Sequence, residues 1–281
     1  MKKLETIEQL KKSIIELKHE NKSIGFVPTM GFLHEGHLSL IKKARENHDI
    51  VVLSIFVNPL QFGPNEDFER YPRDIHRDEQ LALESGVDVL FAPTLKEMYP
   101  HSPSIKMKAI SRVDVLCGKK REGHFDGVVT VLTKLFHLVQ PDAAYFGQKD
   151  AQQVAVVEAL VKDLNFPLQI ISVPTVREEN GLAKSSRNVY LTNSEKQEAP
   201  QLYRSLQYGV QAIENGERDP FAIVQMISTY LNEHTSGEVD YIEVYSYPSL
   251  EAVNVLQGNI IIAIAVQFQS ARLIDNIIIE I

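Results

Sequence analysis

The run Ile50-Val51-Val52-Leu53-Ser54-Ile55-Phe56-Val57 constrains this chain more than any other feature. It is apolar without alternation, so both faces of the strand must be covered. That condition belongs to a parallel sheet lying between layers of helix. The neighbouring segments keep the pattern. Residues 6–21 place Ile7, Leu10, Ile14, Ile15 and Leu17 near helical spacing, with Thr6 as the N-cap. Residues 23–28 read as a short strand and 35–47 as a helix. After a Pro- and Gly-rich loop at 58–73 come a helix at 74–85, a strand at 87–91, a helix at 126–139 and a strand at 143–146. A helix at 151–164 and a strand at 168–173 complete the series. Such alternation predicts a doubly wound, Rossmann-like α/β domain.

The pattern then changes. Helical stretches at 194–215 and 220–233 precede strands at 239–247, 260–268 and 272–281. Helices followed by strands predict a smaller α+β domain. We therefore expect domains at 1–176 and 177–281. Tyr241, Tyr245 and Tyr247 alternate, which predicts one aromatic face on the second sheet.

Several classes of function are disfavoured at once. The longest apolar run, at 260–266, falls well short of the ~20 residues of a membrane span. No apolar stretch follows Met1-Lys2-Lys3, so no secretory signal is expected. Cys117 is the single cysteine, which excludes an internal disulfide and a cysteine-based zinc site. A reducing, cytoplasmic setting is the expectation. With 29 Lys and Arg against 37 Asp and Glu, the net charge of −8 argues against a nucleic-acid binder. Any anion site must be built locally.

The loop Pro28-Thr29-Met30-Gly31-Phe32-Leu33-His34-Glu35-Gly36-His37 is the natural place for one. It joins a strand's carboxyl end to a helix N-terminus, where free N–H groups attract anions. Gly31 to Gly36 has P-loop spacing, but His37 and Leu38 stand where Lys and Ser/Thr are needed. His34-Glu35-Gly36-His37 is one residue short of the zinc motif H-E-x-x-H. A His-x-Gly-His phosphate site remains, with a pair of surface histidines as the plain alternative.

Further strings occur in order. They are Ser54-Ile55-Phe56-Val57-Asn58-Pro59-Leu60-Gln61-Phe62, Tyr71-Pro72-Arg73, Gly123-His124-Phe125-Asp126-Gly127-Val128, Phe146-Gly147-Gln148-Lys149-Asp150, Gln152-Gln153 and Ser185-Ser186-Arg187-Asn188. Together with the histidine loop they resemble the pantothenate synthetase family, within the HxGH nucleotidyltransferase superfamily. The motifs cover residues 25–191; the remainder matches by size and layout.

The resemblance implies an amide ligase that uses ATP and Mg²⁺. Pantoate would be activated as an adenylate, with loss of pyrophosphate, and β-alanine would then displace AMP. It implies that His37, the family's proton donor, and His34 contact the phosphates with Lys149 and Arg187. It further implies ATP contacts from Met30, Gly31, Gly36, Gly147, Gln148, Asp150, Val176, Lys184, Ser185 and Ser186. Gln61 and Gln153 would bind pantoate, and β-alanine would share Gln61. Gln152 reads as an exposed helix residue. Asp78 is the magnesium candidate, with Asp74 and Glu79 as competitors. The resemblance also implies a homodimer, and the second domain could cover the site as a lid. Two departures stand out: Lys184 replaces the usual methionine, and Glu122 stands where proline is common. Another HxGH nucleotidyltransferase, or a nucleotide sensor that retains the fold, are the competing readings.

Overall fold

In the computed structural model, which describes residues 1–64 and 66–281, the strands of the first half all pair in parallel. In chain order the elements begin β1 (Lys2–Leu4), α1 (Ile7–His19), β2 (Ile24–Thr29), α2 (Glu35–Asn47) and β3 (Ile50–Ile55). Then come α3 (Ile75–Glu84), β4 (Val89–Phe91), α4 (Leu95–Met98), α5 (His124–Val139), β5 (Ala143–Gly147), α6 (Ala151–Asp163) and β6 (Gln169–Val173). The predicted cap at Thr6 forms as a reciprocal box: its hydroxyl accepts the Gln9 N–H, and the Gln9 side chain accepts the Thr6 N–H. The three-residue β1 and the four-residue α4 were not anticipated, being too short to show a period.

The sheet order is β1-β4-β3-β2-β5-β6. From β2 the chain winds outward through β3 and β4, then resumes on the other side with β5 and β6. The reversal falls between β2 and β5, and ligands of open α/β sheets bind beyond the strand ends at such a point. The β2–β3 ladder runs over six residue pairs, whereas β2 and β5 pair at Gly25↔Ala143 and Phe26↔Ala144. Helix α2 covers one face of this sheet. Leu40, Ile41 and Ala44 pack with Val27, Val51, Leu53, Leu90 and Tyr145, all buried. Burying each large side chain contributes roughly 1.5–3 kcal/mol.

The last third forms α7 (Asn193–Glu198), α8 (Gln201–Glu214), α9 (Pro220–His234), β7 (Glu238–Ser246), β8 (Asn259–Gln267) and β9 (Arg272–Glu280). The single helix expected at 194–215 is two, broken at Ala199-Pro200, because proline lacks the N–H the helix needs. The three strands form an antiparallel sheet in the order β7-β8-β9. Leu202, Leu206, Ile223, Ile227 and Leu231 of α8 and α9 share a core with Ile260, Ile262 and Ile264 of β8. The alternate residues Ile261 and Ala263 pack with Leu116, Ala151 and Ala155, joined by Tyr241, Tyr245 and Tyr247. The aromatic face is therefore present.

The chain forms two compact units. The first comprises Met1–Ser111, Lys120–Gln148 and Val156–Pro174. The second comprises Arg112–Lys119, Lys149–Ala155 and Thr175–Ile281. The long segment of the second unit begins at Thr175. Two short segments join the second unit through packing around Leu116 and Ala151, which composition does not reveal.

Candidate active site

The histidine loop leaves β2 through a tight turn. Gly31 has φ +85° and Phe32 φ +52°. A Cβ on Gly31 would lie 2.9 Å from both Asp78 Oδ2 and Ile55 Cγ2, so glycine is required for conformation and for space. Phe32 carries a side chain into the left-handed region, at a cost of roughly 1–2 kcal/mol. The turn is held by Asp78, whose Oδ2 accepts the Phe32 N–H at 2.6 Å and whose Oδ1 accepts the Leu33 N–H at 2.7 Å.

His34 is the N-cap of α2. Its Nδ1 accepts the Gly36 N–H at 3.1 Å, and His37 Nδ1 accepts the His34 N–H at 3.3 Å. This is a capping box built from two imidazoles, with ring centroids 4.1 Å apart. A neutral ring has one donor and one acceptor nitrogen. With both Nδ1 atoms accepting, both rings carry their hydrogen on Nε2. The local fold thus prepares two neutral N–H donors at a helix N-terminus, where the helix dipole also favours negative charge.

Gln61 is 8% exposed and closes a 3-10 turn, Pro59–Gln61. Asn58 caps that turn. Its Nδ2 donates to Gln61 Oε1 at 3.1 Å and to the Gly127 carbonyl at 3.0 Å, while its Oδ1 accepts from Tyr99 at 3.0 Å. Burial pushes the Tyr99 hydroxyl up to about 12, so it remains a donor. Gln61 Nε2 lies 3.4 Å from Met30 Sδ, which brings two of the expected site residues together. A Cβ on Gly127 would fall 2.2 Å from the Leu60 carbonyl oxygen, so α5 rests backbone to backbone on the turn.

A charged group holds the other side. His124 Nδ1 donates to the Gln61 carbonyl at 2.7 Å, which leaves Nε2 to accept from Arg121 at 3.0 Å. Arg121 also grips Glu66 through two bonds of 2.7 and 2.6 Å. Burial pushes the Glu66 carboxyl up, but the Arg121 guanidinium more than offsets this and holds it below its usual range. Asn58, Tyr99, Glu66 and Gly127 were not among the expected site residues. Asn-Pro before a turn was the one available signal, since asparagine caps turns through its side chain.

Gly147 ends β5 and Gln148 opens the 3-10 turn Gln148–Asp150, and both belong to the first unit. In the second unit, Lys149, Asp150 and Gln153 stand at the start of α6. The Lys149 carbonyl accepts from Asn276 at 2.8 Å, and its Nζ lies 3.8 Å from Asp150. Gln153 is half-buried. Gln152 corrects the expectation of an exposed residue. It is 6% exposed, accepts from the Cys117 thiol at 3.0 Å, and donates to the carbonyls of Arg112 and Val115. Its amide replaces backbone partners for a segment without regular structure.

Val176 and Lys184 are brought together by a hairpin turning at Gly181. The Lys184 N–H donates to the Val176 carbonyl at 2.9 Å, and Arg177 bridges to Ala183. Arg177 makes a bidentate pair with the buried Asp275 at 2.6 and 2.9 Å and stacks on Tyr203. Lys184 Nζ lies 3.9 Å from Glu178. Ser185 then caps the 3-10 turn Ser186–Tyr190 by accepting the Arg187 N–H, so Ser185, Ser186 and Arg187 occupy one tight turn.

The three carboxylates named for magnesium are each engaged within the fold. Asp78 is 1% exposed, and both its oxygens accept backbone N–H groups. Asp74 caps α3, and Glu79 pairs with Lys3 at 2.6 Å. Among the described residues no group of three or more His, Cys, Asp or Glu could hold a metal ion.

A parallel sheet whose switch-point strand opens on a histidine-capped helix places the chain in the α/β class. Within that class the chain belongs to the pantoate-beta-alanine ligase family, whose model matches residues 2–278, and it is a ligase enzyme. Pantothenate synthetase from Geobacillus sp. (strain WCH70) is 62% identical over 275 residues, covering 98% of each chain. The crystal structure of pantothenate synthetase from Thermus thermophilus matches with a TM-score of 0.93 at 42% identity, over 99% of each chain. The pantoate-beta-alanine ligase from Francisella tularensis, solved with beta-gamma ATP and beta-alanine, matches with a TM-score of 0.83 at 36% identity, over 99% of this chain and 97% of that one.

Proposed function

We propose that this chain joins pantoate to β-alanine with ATP as the activating substrate, making pantothenate through a pantoyl adenylate. The observation that carries the reading is the two-imidazole capping box at the switch point of the sheet, in a chain of this family. A carboxylate does not acylate an amine at neutral pH, because oxide is a poor leaving group. In the first step a pantoate carboxylate oxygen attacks the α-phosphorus and the bond to pyrophosphate breaks. In the second the β-alanine amine attacks the acyl carbon, the bond to the phosphate oxygen breaks, AMP departs, and the amine proton passes to solvent.

Charge builds on phosphate oxygens in the first step. His34 and His37 meet it with neutral Nε2–H donors already fixed by the fold, and Lys149 and Arg187 supply cations. Met30, Gly31, Gly36, Gly147, Gln148, Asp150, Val176, Lys184, Ser185 and Ser186 are the further ATP contacts of this reading. Gln61 and Gln153 hold pantoate, and Gln61 also serves β-alanine. A glutamine amide suits a ligand with hydroxyls and a carboxylate, since it both donates and accepts. Among the described residues no carboxylate cluster forms a metal cage; in this reading Mg²⁺ enters as part of the MgATP substrate and no step is assigned to it. In the same reading the enzyme is a cytoplasmic homodimer.

The test is isotope exchange. Labelled pyrophosphate, MgATP and pantoate are supplied without β-alanine. Label entering ATP only when pantoate is present supports the adenylate. Release of ADP and orthophosphate, or exchange without pantoate, refutes it.

A further inference from the structure

One side chain holds the backbone just before the histidine pair through two bonds to consecutive N–H groups. Asp78 sits in the first turn of α3 and is all but inaccessible, at 1% exposed. Its two oxygens accept consecutive N–H groups, from Phe32 and Leu33, at 2.6 and 2.7 Å. Charge-assisted bonds of this length are the strong ones. They fall on a turn that would not persist alone, since Phe32 is left-handed and Gly31 precedes it at φ +85°. The next residue, His34, opens α2 and starts the imidazole box. Arg77 reinforces the arrangement, lying 3.6 Å from Asp78 Oδ1 and over the Phe32 ring at 5.1 Å.

We propose that Asp78 is the positioning residue of the phosphate site: its buried carboxylate clamps the Phe32–Leu33 backbone and thereby sets where His34 and His37 present their donors. It acts through the backbone and contacts no substrate. The claim rests on the ligase reading for its catalytic consequence, while the clamp itself is a matter of this chain's geometry. An isosteric amide cannot replace the carboxylate. One of its two heads is an NH₂ group, which would face a backbone N–H and leave that donor buried without an acceptor.

The test uses Asp78→Asn beside Asp219→Ala, which removes the α9 cap and leaves the clamp. Three readouts are taken: melting temperature, pantoate-dependent pyrophosphate exchange, and the NMR signals of the histidine rings. For Asp78→Asn we expect exchange to fall roughly 10²-fold, as for an ångström-scale misplacement of catalytic groups. The His34 and His37 ring signals should move while the exposed His137 stays. Asp219→Ala should lower the melting temperature with both ring signals and exchange near wild type. Unmoved ring signals in Asp78→Asn, or equal movement in both variants, would overturn the proposal. Should Asp78→Asn not fold, the wild-type protein still decides. The Phe32 and Leu33 amides should exchange with solvent as slowly as those of β2, and rapid exchange would refute the clamp. If wild-type enzyme shows no pantoate-dependent exchange, the ligase reading falls, yet the ring and amide measurements still judge Asp78.

Discussion

Replacing His37 separates folding from chemistry, because its ring has two jobs on two different atoms. Nδ1 accepts the His34 N–H and closes the capping box; in the proposed reaction Nε2–H is the donor to phosphate. His37→Ala removes both. Loss of the box orphans one backbone donor, worth about 1 kcal/mol. In a chain of this size that lowers the melting temperature by roughly 2–4 °C. Loss of a donor aimed at developing charge costs roughly 10²–10³ in turnover. His37→Gln keeps an acceptor at the third helical position, where glutamine closes capping boxes. It should restore the melting temperature and leave exchange depressed by a similar factor. Calorimetry and pantoate-dependent pyrophosphate exchange on the same samples read the two jobs apart. Near-normal exchange in His37→Gln would remove the imidazole from the chemistry. A melting temperature as low as that of the alanine variant would refute the capping argument.

Lys184→Met should bind ATP as well as wild type or more tightly, as followed by titration calorimetry; a large loss would mean that the lysine charge carries a phosphate contact. Gly127→Ala drives a methyl group against the Leu60 carbonyl and should destabilise the protein by about 1–3 kcal/mol in denaturant unfolding. In the folded fraction it should raise the KM for pantoate more than that for ATP, and an unchanged pantoate KM would detach Gln61 from that substrate. Glu195 accepts from the Ser270 hydroxyl and the Thr192 N–H, which hold its carboxyl down to about 2. A depressed folded value means its contribution to stability is full above the ordinary carboxylate range and is lost as pH falls toward 2. Urea midpoints of wild type and Glu195→Gln should therefore differ at pH 7 and draw together with acidification; a gap at pH 2.5 as wide as at pH 7 would contradict this.

The scaffold was legible because its signal repeats. The uninterrupted apolar run became β3 at the centre of the first sheet, and α2 matched its expected limits because asparagine and histidine end what His34 begins. The break at Pro200 was written in the sequence and was outweighed by the length of the apolar pattern around it. The segment 112–119 gave no signal of its own. It has no period, and its order comes from Gln152, whose neighbour Gln153 has the same side chain and a different environment. Two adjacent glutamines on a helix point about 100° apart, and sequence alone does not say which faces inward.

Asp78 shows why the site was the harder part. A carboxylate near a phosphate loop invites a metal, and composition offers no reason to prefer backbone N–H groups as its ligands. The preference follows from the left-handed Phe32, which is costly unless something holds it, and from burial, which penalises a carboxylate with nothing to accept. The Phe32 and Leu33 N–H groups lower the carboxyl of Asp78, but burial is the larger effect and leaves it above its usual range. The same logic recurs at Gln61, where Asn58 and His124 direct their hydrogen bonds to the turn that carries it. Residues that fix the backbone of a site are chosen by that geometry and not by the ligand. Single substitutions among them should therefore move kcat or KM without changing which substrates are accepted.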